Sequence, residues 1–392
     1  MSTAREQLQR RPSWWRVHGR SWAITAASIV LALILGAVLM VVSDPRVIGQ
    51  FAFLFTAPSL PLGAAWAKVS SAYAALFLGA VGSPAALAAT SAQAAPLICA
   101  GLGVGLAFRA GLFNIGAQGQ AIWGSILAAW VGFTLHLPPV LHLLIAVLAG
   151  LVGGAVWGGL VGFIKARTGA HEVILTIMMN YVAATILGWL LTTEAFMRPG
   201  RRDPISPEID ATATFPALYQ QFHAGFLVAL VAAAVTWWLI ERSTVGFAIR
   251  AVGANPNAAR TAGMSVPSTT IITMTLSGLL AGLAGVMAAL GPGADGVPTP
   301  LSHGLVGSVG FDAITVALLG RSRPLGIVFA GLLFGGLHSG GLSMQSLAGT
   351  PLTLAMVLQA LIVLFVAAPG LVSALVPKLT APQRTSLVGG EA

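Results

Sequence analysis

The chain is built from long apolar runs with few charges, the first from Trp22 to Val42 and the last from Leu354 to Val376. In hydrocarbon every backbone N–H and C=O must be bonded within the protein. A run of about 20 apolar residues therefore folds as a helix able to span a bilayer. Strand-like alternation of apolar and polar residues, the mark of a transmembrane barrel, is missing from these runs. Composition agrees: 56% of the 392 residues are hydrophobic and 8% charged, against about 25% charged in soluble globular domains. The single cysteine, Cys99, excludes an intrachain disulfide. A net charge of +9 would suit nucleic acid in a soluble protein, but in a membrane chain the placement of the charges is what informs. No nucleic-acid partner is expected.

The runs predict an all-α polytopic membrane protein with about ten transmembrane helices and both termini in the cytoplasm. The expected spans are 22–42, 92–108, 118–135, 140–164, 174–191, 225–240, 271–290, 309–319, 325–337 and 354–376. The first is read as a membrane helix rather than a signal peptide, whose apolar core would be shorter and followed by a cleavage site. Residues 1–21 then form a cytoplasmic arm, 22–376 the transmembrane domain and 377–392 a cytoplasmic tail. Residues 44–90 are interrupted by Pro45, Pro58, Pro61 and Pro84; no clean span fits there, and the stretch is placed outside, partly re-entrant. Residues 194–222 make an external loop and 241–266 a cytoplasmic one.

Charge placement tests this topology independently. On the proposed inside lie Arg5, Arg10, Arg11, Arg16, Arg20, Arg109, Lys165, Arg167, Arg242, Arg250, Arg260, Arg321, Arg323, Lys378 and Arg384. Outside lie only Arg46, Lys68, Arg198, Arg201 and Arg202. This is the positive-inside bias. Trp14, Trp15 and Trp22 are expected at the headgroup level. Gly150, Gly153, Gly154, Gly158 and Gly159 crowd one span and Gly278, Gly282 and Gly285 another, so close backbone packing is expected there. The two halves share a rough plan of Gly-rich spans and interrupted runs, a hint of an internal repeat.

Between two apolar runs sits a polar, basic island from Gly246 to Met264. Asn255 is a good N-cap, Pro256 suits the first helical position, and Gly263 suits a left-handed C-terminal residue. A helix of about two turns is unstable alone in water. Either it packs against a partner or it is an ordinary loop helix.

Three further stretches place polar groups beside apolar helix. Asn114, Gln118 and Gln120 occur with Gly111, Gly116 and Gly119, a pattern for a broken helix whose amides line a cavity or bond helices together at roughly 0.6–2 kcal/mol each. If the helix starts early, Asn114 and Gln118 share a face. His171 and Glu172 open a later span, where Glu172 suits the helix macrodipole, and Asn180 lies deeper. Leu175, not a second histidine, stands four residues after His171, so this is no zincin site. Asp312 is the acid nearest the middle of an apolar stretch; it lines a path or caps a short helix. Asp295 and His303 belong to a Gly/Pro-rich exposed loop. Arg198, Arg201 and Arg202 form a basic cluster with Asp203, Glu208 and Asp210 nearby.

These blocks carry a resemblance. RAVGANP from Arg250 to Pro256, with AARTAG from Ala258 to Gly263, resembles the coupling loop of ATP-binding-cassette (ABC) importer permeases of the branched-chain amino acid, ribose and nucleoside group. FNIGAQGQ from Phe113 to Gln120 and EVILTIMMNY from Glu172 to Tyr181 resemble the signatures of nucleoside-type permeases. The resemblance runs from about residue 90 to 370, with the blocks in family order. Two positions depart from it: Gln118 stands where the family more often has Glu, and His171 where it more often has Asn.

The resemblance implies the permease fold, a second permease subunit, separate ABC ATPase subunits and an external substrate-binding protein or lipoprotein. It implies a site in a bacterial inner membrane. Coupling to the ATPase would fall on Arg250, Gly253, Asn255, Pro256, Ala259, Arg260 and Gly263, and docking of the binding protein on Arg198, Arg201 and Arg202. The substrate path would use Asn114, Gln118, Gln120, Asn180 and Asp312. The implied cargo is nucleosides or purines, with simple sugars such as ribose as the rival. No phosphate-binding Gly-x-x-x-x-Gly-Lys-Ser/Thr loop occurs, so ATP is expected on partner subunits and the chain is not expected to be an enzyme. An ion-driven carrier, with Asp312 as its coupling acid, is the alternative of a different class.

Overall fold

The computed structural model describes residues 14–293 and 295–368. Arg5, Arg10, Arg11, Lys378 and Arg384, with residues 1–13 and 377–392, lie outside the described residues, as do the side chains of Trp14, Trp15, Arg16, Arg20 and Trp22. The described residues form two compact units, one from 14–72 with 350–368 and one from 73–349.

In the first unit, helix α1 (Trp14–Ser43) runs to Asp44, whose carboxylate accepts from the Arg46 N–H and caps α2 (Pro45–Gln50). The chain bends by 76° at this break. Helix α3 (Ser59–Val81) begins here, and its Lys68 meets Asp44 at 3.1 Å. Helix α14 (Leu352–Ala367) returns beside α1, where Ser28 Oγ donates to the Phe365 carbonyl at 3.0 Å.

The second unit contains α4 (Pro84–Arg109), α5 (Ala117–Thr134), α6 (Pro139–Thr168) and α7 (Glu172–Leu190). After a hairpin of β1 (Ala217–Tyr219) and β2 (Phe222–His223) come α8 (Ala224–Arg242), α9 (Thr244–Ala254) and α10 (Pro256–Thr261). Helices α11 (Val266–Leu290), α12 (Val309–Leu319) and α13 (Pro324–Ala348) complete it. Helices α4 and α11 form its core, with 78% and 67% of their most apolar windows buried. Helix α6 crosses α11 backbone to backbone. A Cβ on Gly154 would overlap the Gly278 carbonyl and Gly282, and one on Gly278 would strike the Gly154 carbonyl. The expectation of close packing at these glycines holds, and it is the contact that small residues permit in lipid.

Seven described helices are long and apolar enough to cross a membrane, or eight if the bent pair at Ala27–Ser43 and Pro45–Phe53 counts as one span. Three of the ten expected spans are not among them. Helix α5 carries Gln118 and Gln120 in its first turn and α12 is short, while the expected span 354–376, described as α14, runs on past residue 368 outside the described residues. One long apolar helix, α3, was not expected. Its Pro61 sits in the first helical turn and Pro84 at the first position of α4, where a missing N–H costs nothing. These prolines start helices rather than break them.

Polar contacts sort the second unit into two ends. At one, Arg109 Nε donates to the Ser322 carbonyl at 3.1 Å, and Gly253 lies against the Arg109 backbone. At the other, Ser206 and Leu301 exchange hydrogen bonds, Phe215 N donates to the Leu290 carbonyl, and His142 bonds Thr212 at 2.7 Å. The first end carries Arg109, Lys165, Arg167, Arg242, Arg250, Arg260, Arg321 and Arg323 with only Glu172 and Glu241. The second carries Arg198, Arg201 and Arg202 against Glu194, Asp203, Glu208, Asp210 and Asp295.

Candidate functional site

The break between α4 and α5 is tied down by amides. Gly111 adopts φ +72, and α5 begins only at Ala117. Asn114 therefore precedes the helix, and the expectation that it shares a helical face with Gln118 fails. Its Oδ1 instead accepts from the Gly116 N–H at 2.8 Å, a local turn that competes with helix. Its Nδ2 donates to Ser277 Oγ at 2.8 Å and to Gln120 Oε1 at 3.1 Å, and Ser277 passes the chain on to the Gly103 carbonyl at 2.7 Å. Asn180 grips the same break from α7, accepting from Gly119 N and donating to the Ile115 carbonyl. Asn114 and Gln120 are wholly buried, and Asn180 is 6% exposed. Gln120 Nε2 and Trp157 Nε1, both beside this crossing, are buried with no hydrogen-bond partner among the described residues.

Gln118 points elsewhere. Its amide clamps the start of α12, donating to the Gly307 carbonyl at 2.7 Å and accepting from Gly310 N at 2.8 Å. Next to that clamp Ser308 Oγ donates to Asp312 Oδ2 at 2.8 Å, and His338 of α13 lies within electrostatic reach of Asp312. Gln118 and Asp312 are half-buried, while Ser308 and His338 are exposed. A carboxylate, an imidazole, a hydroxyl and an amide thus share a surface patch between apolar helices, alongside exposed Phe311. A carboxylate facing hydrocarbon is costly, so such a patch belongs against protein or a water-filled passage.

At the basic end the polar island folds as two helices rather than one loop helix. Ser243 caps α9, accepting from Gly246 N at 2.9 Å. Arg250 and Gly253 lie within α9, with Arg250 Nη1 3.9 Å from Glu241 Oε2. Asn255 ends α9 and caps α10, its Oδ1 accepting from Asn257 N at 3.0 Å and Ala258 N at 3.1 Å. Gly263 takes φ +84. With bonds from Gly263 N to the Arg260 carbonyl and from Met264 N to the Ala259 carbonyl, the end is a Schellman motif. Ala259 is buried, whereas Asn255, Pro256, Arg260 and Gly263 are exposed. The unit thus presents a doubly capped helix with most of its surface free.

A family model described as "Branched-chain amino acid transport system / permease component" matches residues 86–367. The chain belongs to this permease family. "Guanosine ABC transporter permease protein NupP" of Bacillus subtilis (strain 168) is 37% identical over 303 residues, covering 76% of this chain and 86% of that protein. "Glucose ABC transporter permease protein TsgB13" of Haloferax volcanii is 34% identical over 307 residues, 75% of this chain and 79% of that protein. "Nucleoside ABC transporter permease protein NupB" of Lactococcus lactis subsp. cremoris is 34% identical over 322 residues, 79% of this chain and 86% of that protein. No solved structure matches the chain.

At the end of the permease opposite α10, two of the three loop arginines are paired within the loop. Arg198 bonds Glu208, and Arg201 meets Asp203 through Nε and Nη2, each at 2.9 Å. That bidentate contact holds the Asp203 carboxyl below its ordinary range and the Arg201 guanidinium above its own. Arg202 is exposed. Glu172, expected to serve the helix dipole, also meets Lys165 at 2.6 Å and ties the end of α6 to the start of α7. Sequence reading missed Ser277, Ser308 and His338, because a lone serine or histidine in an apolar run has no spacing signal; only the fold pairs them with Asn114 and Asp312.

Proposed function

We propose that this permease forms half of the translocation path of an ABC importer for nucleosides, in a bacterial inner membrane. Two of the relatives reported above are named for guanosine or nucleosides, and one of comparable similarity for glucose. The observation that favours a nucleoside is the patch of Asp312, His338, Ser308 and Gln118 beside exposed Phe311. Asp312 and His338 offer a carboxyl and an imidazole for a base edge, and Phe311 an aromatic face for stacking. A second permease subunit would close this face into a passage, and an external binding protein would deliver the cargo to the end bearing residues 191–223. ATP would be held by separate ATPase subunits docked on α10. Their closure on ATP would push α10, and α9 would pass that motion through Gly253 to the end of α4 and so to the break at 110–116.

Ten spans fit this reading, with α5, α12 and α14 crossing as well and α3 staying on the outer side. The ion pair of Lys68, midway along α3, with Asp44 at the end of α1 supports that placement. The basic end then faces the cytoplasm, as positive-inside bias requires. The test is uptake by the reconstituted importer: labelled guanosine accumulates with ATP, and unlabelled nucleosides compete while glucose does not. Glucose uptake with no nucleoside competition would assign the path to sugars.

A further inference from the structure

A cleft of about 410 Å³ opens between α8 and α13, at the basic end of the second unit. Leu230, Ala234 and Trp237 form one wall and Pro324, Leu325 and Val328 the other. Neighbouring Val231, Trp238 and Phe329 are exposed at 62%, 56% and 65%. Both walls belong to helices long and apolar enough to cross a membrane, and the side chains exposed around the opening are apolar.

The mouth of the cleft is basic. Arg323, exposed, directly precedes wall residue Pro324, and exposed Arg321 stands two positions earlier in the same hairpin. Arg109 joins them by donating to the Ser322 carbonyl. Just past the α8 wall, Glu241 is the one carboxylate among these groups in the described residues, and it already faces Arg250 at 3.9 Å. Arg250 Nη1 is buried and makes no hydrogen bond among the described residues. An apolar slot at acyl-chain depth with an uncompensated basic rim is the chemistry of a lipid carrying an anionic headgroup.

We infer that this cleft is a binding site for an anionic phospholipid, one acyl chain lying between α8 and α13 and the phosphate held by the hairpin arginines. The tryptophans near the mouth suit the headgroup boundary. The site is separate from the polar patch at Asp312, so its test does not depend on what the permease carries.

The test uses the purified complete transporter and native mass spectrometry, with phosphatidylglycerol and phosphatidylcholine of identical chains as probes. The wild type is expected to retain phosphatidylglycerol in preference. Arg321→Asn with Arg323→Gln should reduce that preference by roughly fivefold per arginine removed, with the zwitterionic lipid little changed. Ala234→Trp, which fills the slot from an exposed position, should lower retention of both lipids. A photoactivatable phosphatidylglycerol should label peptides containing 230–237 and 324–328. Equal retention of both lipids by the wild type would overturn the proposal, as would unchanged retention in Ala234→Trp. Label absent from both peptides would do the same and would hand the cleft to a neighbouring protein subunit.

Discussion

Asn114 Nδ2 donates to Ser277 Oγ at 2.8 Å, joining the break before α5 to the middle of α11 across 163 positions of sequence. The same amide also serves Gly116 and Gln120, so its removal strands several buried polar groups at about 1–3 kcal/mol each. Asn114→Leu is therefore expected to lower the melting temperature of the purified transporter and to reduce its assembly as well as its uptake. Wild-type stability with lost uptake would instead assign Asn114 to the path.

Asp312 and His338 should behave in the opposite way. Neither holds two elements of the core together, and Asp312 spends one oxygen on Ser308. Asp312→Asn and His338→Gln are expected to leave assembly and melting temperature unchanged and to cut uptake roughly ten- to hundredfold, the value of one or two hydrogen bonds to a charged group. Uptake within twofold of wild type in both variants would remove this patch from the path.

His223 sets a pH dependence at the opposite end. Its Nδ1 accepts from Gly225 N at 3.1 Å and caps α8, and the ring is 3% exposed. Burial holds its pKa below the ordinary histidine value of 6.5. The folded state thus favours the neutral ring, and an unfolded segment takes up a proton first. The cap's contribution is full above about pH 6.5 and declines as the pH falls from there towards the folded value. Amide protection factors across residues 211–225, taken relative to the intrinsic exchange rate at each pH, should fall on acidification. His223→Asn, which retains a capping acceptor without titrating, should flatten that response.

Topology is tested by labelling cysteines with an impermeant maleimide in a Cys99→Ala background. Pro204→Cys and Phe55→Cys are expected to react in intact cells, and Asn257→Cys only after lysis. If Phe55→Cys reacts only after lysis while Pro204→Cys reacts in intact cells, α3 crosses the membrane and the count of ten is wrong.

Apolar run length made most helices legible in the sequence, and the capping residues of α10 were readable one by one. Asn255, Pro256 and Gly263 each obey local rules that need no tertiary context. Helix α3 was obscured because Pro58, Pro61 and Pro84 read as breakers, although in the fold they stand before a helix or in its opening turns. The amides showed the opposite difficulty. Asn114, Gln118 and Asn180 announce that polar groups must be satisfied somewhere, but not where. Only packing reveals that Asn114 reaches Ser277 while Gln118, four residues later, reaches Gly307 and Gly310. The two-helix form of the island was likewise hidden, since Asn255 is at once the end of α9 and the cap of α10.

The central claim is that α10 transmits ATPase motion to the permease, and substrate-stimulated ATP hydrolysis tests it most directly. Asn255→Ala removes a cap worth about 0.5–2 kcal/mol, and Gly263→Val forces a β-branched residue to φ +84. The double variant should insert and assemble in the membrane and still accept loaded binding protein. In the purified complex, hydrolysis should no longer rise when loaded binding protein is added, or the ATPase should fail to co-purify, and uptake should be lost. Wild-type retention of the ATPase, with full stimulation and normal uptake, would contradict the assignment of α10 as the coupling element.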